Sequence, residues 1–262
     1  MIRIACLGNS HNAAFKLGWD EIKGSYPNVI VDFFSGAASA MKHLEVRNGC
    51  IFPTKESVRE MFVAYAGQDH VTPDYDLYFL VGMGFGLTPL MSLYGTHRPP
   101  RFYSRDSGIQ LISEELLTAS RKALIYESVA VRTLGFVRTI TDIAPVYMVP
   151  NPLPSAEILS TPAASYWGDS ELLEDCNTYL EQAISMLKAV NYVPQPGVTL
   201  ASQYFTKPHY AKEALLLKAR WTRPTNEGDP YHLNAAYGRD FLKTLFELSG
   251  VQQSKQSGAE TA

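Results

Sequence analysis

Two short stretches at opposite ends of the chain hold residue types that belong together chemically. Gly8-Asn9-Ser10-His11 follows an apolar run at the start, and Gly228-Asp229-Pro230-Tyr231-His232-Leu233-Asn234 opens the last helical pattern. A serine hydroxyl is a poor nucleophile until an imidazole takes its proton, and the imidazole works best when a carboxylate fixes its tautomer and balances its charge. Asp229 and His232, three residues apart, supply both groups from one loop. Ser10 falls at the start of a helix, whose positive end favours an alkoxide or an oxyanion. Each residue alone also has a plainer role, Ser10 and Asp229 as helix caps and His232 as a polar residue of a first helical turn. Taken as a set, they point to acyl transfer.

Such a set needs a scaffold that brings the two ends of the chain to one place. Ile2 to Leu7, Val29 to Phe34, Asp76 to Val81 and Val146 to Val149 are short and rich in β-branched and aromatic residues, as buried parallel strands are. Between them lie helical spacings at Ala13 to Lys23, Ala37 to Val46, Ser57 to Ala66 and Ser113 to Ile140. Pro150 to Pro154 forms an extended exit, a helix is expected over Ser170 to Ala189, a fifth strand at Asn191 to Val193, and a last helix over Asn234 to Leu248. This βα alternation predicts an α/β fold, a three-layer α/β/α sandwich around a doubly wound, mostly parallel sheet of about five strands. Ligands of such sheets bind beyond the carboxyl ends of the strands, where Ser10 lies. Residues 1–248 read as a single domain and 249–262 as a flexible polar tail.

Composition narrows the function. The chain has 262 residues, 46% of them hydrophobic, and 23 Lys and Arg against 26 Asp and Glu give a net charge of -3, with no basic excess to attract nucleic acid. No apolar run approaches the roughly eighteen residues of a membrane span. Cys6, Cys50 and Cys176 follow no metal or disulfide spacing and are expected as buried thiols, and no leader precedes the first strand, so a cytoplasmic location is expected.

With these blocks in place, the sequence resembles the SGNH (GDSL-like) hydrolases. That family carries a Gly-Asp-Ser block after strand one and an Asp-x-x-His block before the last helix; here Asn9 replaces the aspartate. The resemblance implies Ser10 as nucleophile, His232 as general base and Asp229 as its orienting acid. The stretch from Asp229 to Gly238 is similar to members encoded near polysaccharide genes. It further implies an oxyanion hole from the Ser10 and Gly36 N–H groups and a third-block residue. The family's Gly-x-Asn-Asp is replaced by Gly82-Met83-Gly84-Phe85, which puts Gly84 in the place of the asparagine. Asn12, His11, His97 and Asn151 are open as substitutes for the lost amide.

Gly82-x-Gly84-x-Gly86 lacks the spacing and acidic partner of a dinucleotide fingerprint, and no phosphate-loop or metal motif occurs, so no cofactor or metal is expected. His11, with His97 and Arg98 in a polar loop after the third strand, is a candidate for substrate contact, and Arg101 for meeting an anion; the aromatic run Gln203 to Tyr210 has faces suited to a sugar ring. The expected function is a serine esterase acting on an O-acyl ester, such as an acetylated carbohydrate or a small-molecule ester. The alternatives are a sugar O-acyltransferase using the same triad, or a glycan-binding protein that has lost catalysis with the third-block asparagine. An amide or imidazole near Gly84 favours catalysis, whereas Met83 or Phe85 filling that space favours binding.

Overall fold

The computed structural model describes residues 1–103, 108–219 and 221–253. Its centre is a five-stranded sheet of β1 (Ile2–Gly8), β2 (Val29–Ser35), β3 (Leu77–Val81), β4 (Val146–Val149) and β5 (Asn191–Tyr192). The spatial order is β2-β1-β3-β4-β5 and every pairing is parallel. β1 therefore lies between β2 and β3, and the sheet grows outward on both sides of it. This strand order has its topological switch point at β1 and β3, where the loops leaving neighbouring strands part and open a crevice.

The helices are α1 (Asn12–Ile22), α2 (Glu56–Ala66), α3 (Leu87–Tyr94), α4 (Glu114–Tyr126), α5 (Val129–Ile140), α6 (Ser170–Met186) and α7 (Ala235–Ser249). They cover both faces of the sheet. Phe15 and Trp19 of α1 and Phe241, Leu242 and Phe246 of α7 pack with Ile4, Cys6 and Phe79. Leu90 and Met91 of α3, Leu134 and Val137 of α5 and Leu172 of α6 pack with Leu7, Tyr78 and Leu80 of the opposite face. Alternate residues of β1, β2 and β3 thus enter different cores, which explains why these strands are mostly apolar on both faces.

Several sequence expectations shift. The stretch expected as a helix over Ala37 to Val46 is a short 3-10 turn, Ala38–Lys42, followed by a hairpin of Leu44–Arg47 and Cys50–Pro53. Asn48 and Gly49 at its tip both have positive φ, 52° and 73°, the conformation that a two-residue hairpin turn requires. The long helix over Ser113 to Ile140 is two helices, because the Ser128 hydroxyl accepts the Val131 N–H and starts a new one. α3 was not expected at all, and α6 ends at Met186 instead of Ala189.

The expected body–tail boundary at 248/249 also moves. Gly250, with φ 73°, closes α7, and the Val251 N–H returns to the Phe246 carbonyl at 2.9 Å while its side chain is buried. The packed chain thus runs to Val251; residues 254–262 of the expected tail lie outside the described residues. Cys6 and Cys176 are buried free thiols, but Cys50, in the hairpin, is only half-buried. No helix among the described residues is long and apolar enough to cross a membrane.

Candidate active site

β1 ends at Gly8, and the chain turns through Asn9, Ser10 and His11 before α1 begins at Asn12. Asn12 fixes this turn from below. Its buried amide donates to the Cys6 carbonyl at 3.1 Å and to the Ser35 hydroxyl at 2.8 Å, while its carbonyl oxygen accepts from the Cys6 thiol. The start of α1 is thereby tied to β1 and β2 through a fully satisfied buried amide. Asn12, a possible substitute for the missing third-block amide, has its N–H groups committed there.

α7 delivers the second half of the site. It crosses α1 at backbone contact: a Cβ on Gly238 would lie 1.9 Å from the Ala14 carbonyl oxygen, and one on Gly18 would lie 2.2 Å from the Arg239 nitrogen. Only glycine at both positions lets the helices approach this closely. Asn234 caps α7 through the Tyr237 N–H and donates to the carbonyls of His209 and Lys212, while the Ser155 N–H holds the Pro230 carbonyl at 2.8 Å. The loop carrying Asp229 and His232 is pinned at both ends.

The two halves meet in one hydrogen-bonded line. One Asp229 carboxylate oxygen accepts the N–H groups of Tyr231 and His232 at 2.9 and 3.2 Å, and the other lies 2.7 Å from His232 Nδ1. Burial pushes the Asp229 pKa up, but the His232 hydrogen bond and these amides outweigh it and bring the pKa down to about 2. The carboxylate is ionised and can only accept, so His232 donates to it from Nδ1, and in the neutral tautomer that does so Nε2 is the accepting atom. That atom accepts the Ser10 hydroxyl at 2.9 Å. The helix-capping roles open to these residues fall to others: Asn234 caps α7, and no side chain caps α1.

His11 lies against His232 with ring centroids 5.2 Å apart and the planes tilted by 30°. Burial, reinforced by the neighbouring imidazole, lowers its pKa to about 3 against the opposing pull of Asp229. His11 is thus neutral at ordinary pH and adds no charge beside His232.

The surrounding amides differ from expectation. The Gly36 N–H donates to the Gly8 carbonyl at 3.1 Å, extending the β1–β2 ladder by one rung, so it is not free to face Ser10. The Gly84 N–H donates to Asn151 Oδ1 at 3.1 Å and is likewise engaged. Of the three expected donors, only the Ser10 N–H has no acceptor among the described residues. Two groups were overlooked. The Ala37 N–H, one residue beyond Gly36, has no acceptor among the described residues; the Asn9 side chain takes the His11 N–H on Oδ1 and leaves its NH2 without one. At Gly36 the parallel ladder consumes the first amide after the strand, which leaves the next one, that of Ala37, without an acceptor among the described residues.

The third-block loop runs through left-handed backbone at Gly82, Met83 and Gly84, with φ 71°, 54° and 77°. Met83 holds this costly conformation because its carbonyl accepts the Ala130 N–H from the first turn of α5. A Cβ on Gly82 would touch Asn9 Oδ1, His11 Cδ2 and Asn151 Oδ1 at 2.8, 3.0 and 3.1 Å, so these three side chains converge there. An amide, that of Asn151, therefore stands against Gly84; Met83 lines the space beside it and Phe85 is buried in the core.

Ser10 and His232 open into a cavity of about 180 Å³ shared with Asn9, Ala37, Met61, Lys218 and Arg223. Asn9 also borders a wider cleft of about 520 Å³ lined by Met83, Gly84, Leu124, Glu127 and Asn151. Lys218 and Arg223 come from a hairpin of Leu215–Lys218 and Trp221–Pro224 that the sequence did not announce, having no Asn-Gly or Gly-Gly turn at Ala219-Arg220.

His97 and Arg98 line neither space. His97 bonds the Thr96 hydroxyl, and Arg98 donates to the Tyr94 carbonyl at the end of α3. Arg101 pairs with Glu114 and Asp175. This loop leads away from Ser10, because α3 intervenes between it and β3. In the aromatic run, the Tyr204 hydroxyl donates to Glu174, Phe205 packs on Trp167 and the Tyr210 hydroxyl donates to Asp240, so these rings serve packing.

No family model matches the sequence, and no curated protein matches it. By shape, the chain is similar to a lipase from a goat rumen metagenome, at 11% identity, covering 96% of this chain and 98% of the other with a TM-score of 0.45. It is similar to a carbohydrate acetylesterase family member from Sinorhizobium meliloti, at 14% identity, coverage of 95% and 97% and a TM-score of 0.42. An aryl esterase of M. smegmatis matches at 13% identity, coverage of 96% and 100% and a TM-score of 0.40.

Proposed function

We propose that the protein is a serine ester hydrolase of the SGNH (GDSL-like) kind, working through an acyl-enzyme on an O-acyl ester such as an acetylated carbohydrate. The observation that carries this reading is the continuous Ser10–His232–Asp229 hydrogen-bond line opening into a cavity. Ser10 Oγ attacks the ester carbonyl carbon as its proton passes to His232 Nε2, and Asp229 balances the imidazolium. The carbonyl oxygen gathers negative charge and is met by the N–H groups of Ser10 and Ala37, with the Asn9 carboxamide beside them. Collapse of this intermediate breaks the bond to the alcohol, which leaves with the proton from His232. Water then repeats the sequence and frees the acid; a sugar hydroxyl in its place makes the same chemistry an acyl transfer.

The test is covalent labelling. Wild-type protein treated with a fluorophosphonate should gain one phosphonyl adduct by intact mass, Ser10→Ala should gain none, and only the wild type should cleave para-nitrophenyl acetate. Well-folded wild-type protein that takes no label and cleaves no ester would overturn the esterase reading in favour of a glycan-binding protein.

A further inference from the structure

The cavity beside Ser10 has an uneven charge distribution. Among the described residues, its walls hold two side chains with a fixed charge, Lys218 and Arg223, and no carboxylate. Neither cation forms an ion pair among the described residues, whereas Arg3, Arg101, Arg121 and Arg239 all do. The backbone that carries them is tied to the helices. Leu217 packs on Ala13 of α1 and Met61 of α2, and the Tyr65 hydroxyl of α2 donates to the Lys218 carbonyl at 2.6 Å. Arg223 is brought alongside by antiparallel pairing, opposite Leu216.

Two cations without an ion pair among the described residues, beside a small space, attract an anion. The cavity, about 180 Å³ in volume, equals about six water volumes at ~30 Å³ each.

We infer that the substrate carries a carboxylate or a comparable anion close to its scissile ester, and that Lys218 and Arg223 receive it in the cavity that holds Ser10 and His232. This inference rests on the esterase reading for its consequence in catalysis, but the anion site itself does not depend on turnover. The wider cleft beyond Asn9, whose one charged wall residue is Glu127, takes the rest of the molecule.

Two pairs of esters locate the anion. Para-nitrophenyl hemisuccinate and para-nitrophenyl butyrate share a leaving group and chain length but differ in an acyl-end carboxylate. Para-acetoxybenzoate and its methyl ester differ in a carboxylate on the alcohol side. In one of the two pairs the wild type should prefer the anionic member by about tenfold or more in kcat/KM, the scale of a charge-assisted contact. That ratio should fall to near one in Lys218→Gln/Arg223→Gln, and Arg223→Lys should restore much of it. A wild-type ratio near one in both pairs, or a ratio unchanged in the double variant, would overturn the inference. Calorimetric titration of monoethyl succinate separates this result from the esterase reading. Binding weakened about tenfold in the double variant upholds the anion site even where no ester is cleaved, and equal affinity in both proteins rejects it.

Discussion

The α1–α7 crossing and the hairpin over residues 215–224 both border Ser10, and they are built in opposite ways. At the crossing, two glycines allow backbone contact, Phe15, Phe241 and Phe246 are buried, and Ser10 and His232 are set on the two loops that lead into these helices. In the hairpin the whole strand Trp221–Pro224 is exposed, Trp221 at 58%, and one side chain, Leu217, anchors the element. A proton relay needs its atoms held to a few tenths of an ångström, which only dense packing provides. Recognition of a charged group tolerates a longer, softer reach. On the proposed reading, the molecule separates the place where chemistry happens from the place where substrates are sorted.

The comparison breaks most sharply at Gly238. A methyl group there must push α7 off the Ala14 carbonyl, so Gly238→Ala should cost about 3 kcal/mol or more, or roughly 6 to 12 °C in Tm. Scanning calorimetry together with fluorophosphonate labelling checks it, and an unchanged Tm with full labelling would show that the crossing does not set the site.

Asp229→Asn should keep the fold and lower kcat on the order of a thousandfold, because an amide can stabilise the wrong His232 tautomer. The same variant has a signature in acid. The folded-state pKa of Asp229 is depressed to about 2, so its contribution to stability is complete above the unfolded value near 4 and is lost as pH falls towards 2. The decline in Tm across that window should be shallower in the variant, and identical acid profiles would contradict the assignment. Asn9→Ala, which removes one amide from beside the oxyanion, should lower kcat by roughly ten- to a hundredfold with little change in Tm. A fall confined to KM would place Asn9 in substrate binding. At the other extreme, Trp221→Ala should change stability by no more than about 0.5 kcal/mol, and a larger loss by urea denaturation would mean that the hairpin is packed as firmly as the crossing.

The same division explains what could be seen in the sequence. The strands carrying the switch point were legible because burial on both faces makes Ile2 to Leu7 and Asp76 to Val81 mostly apolar. Ser10, Asp229 and His232 were legible because their types and order are chemically specific. Gly36 and Gly84 were misassigned as donors because sequence shows which residue sits at a strand end but not which N–H the ladder or a neighbouring carboxamide has taken. His97 and Arg98 were drawn towards the site because α3, which carries them away, is an eight-residue helix with Pro89 inside it and few caps. Lys218 and Arg223 went unseen because two four-residue strands joined without a strong turn signal leave almost no periodic trace.

The glycines of the 82–86 loop also determine how this protein can change over generations. A side chain on Gly82 would strike Asn9 and His11, and one on Gly86 would strike Pro150, but the space around Gly84 is open for 4 Å. Its left-handed backbone suits asparagine better than most other side chains. At Gly84, unlike its neighbours, no atom stands in the way of a side chain, and the left-handed backbone is what limits the choice of residue there.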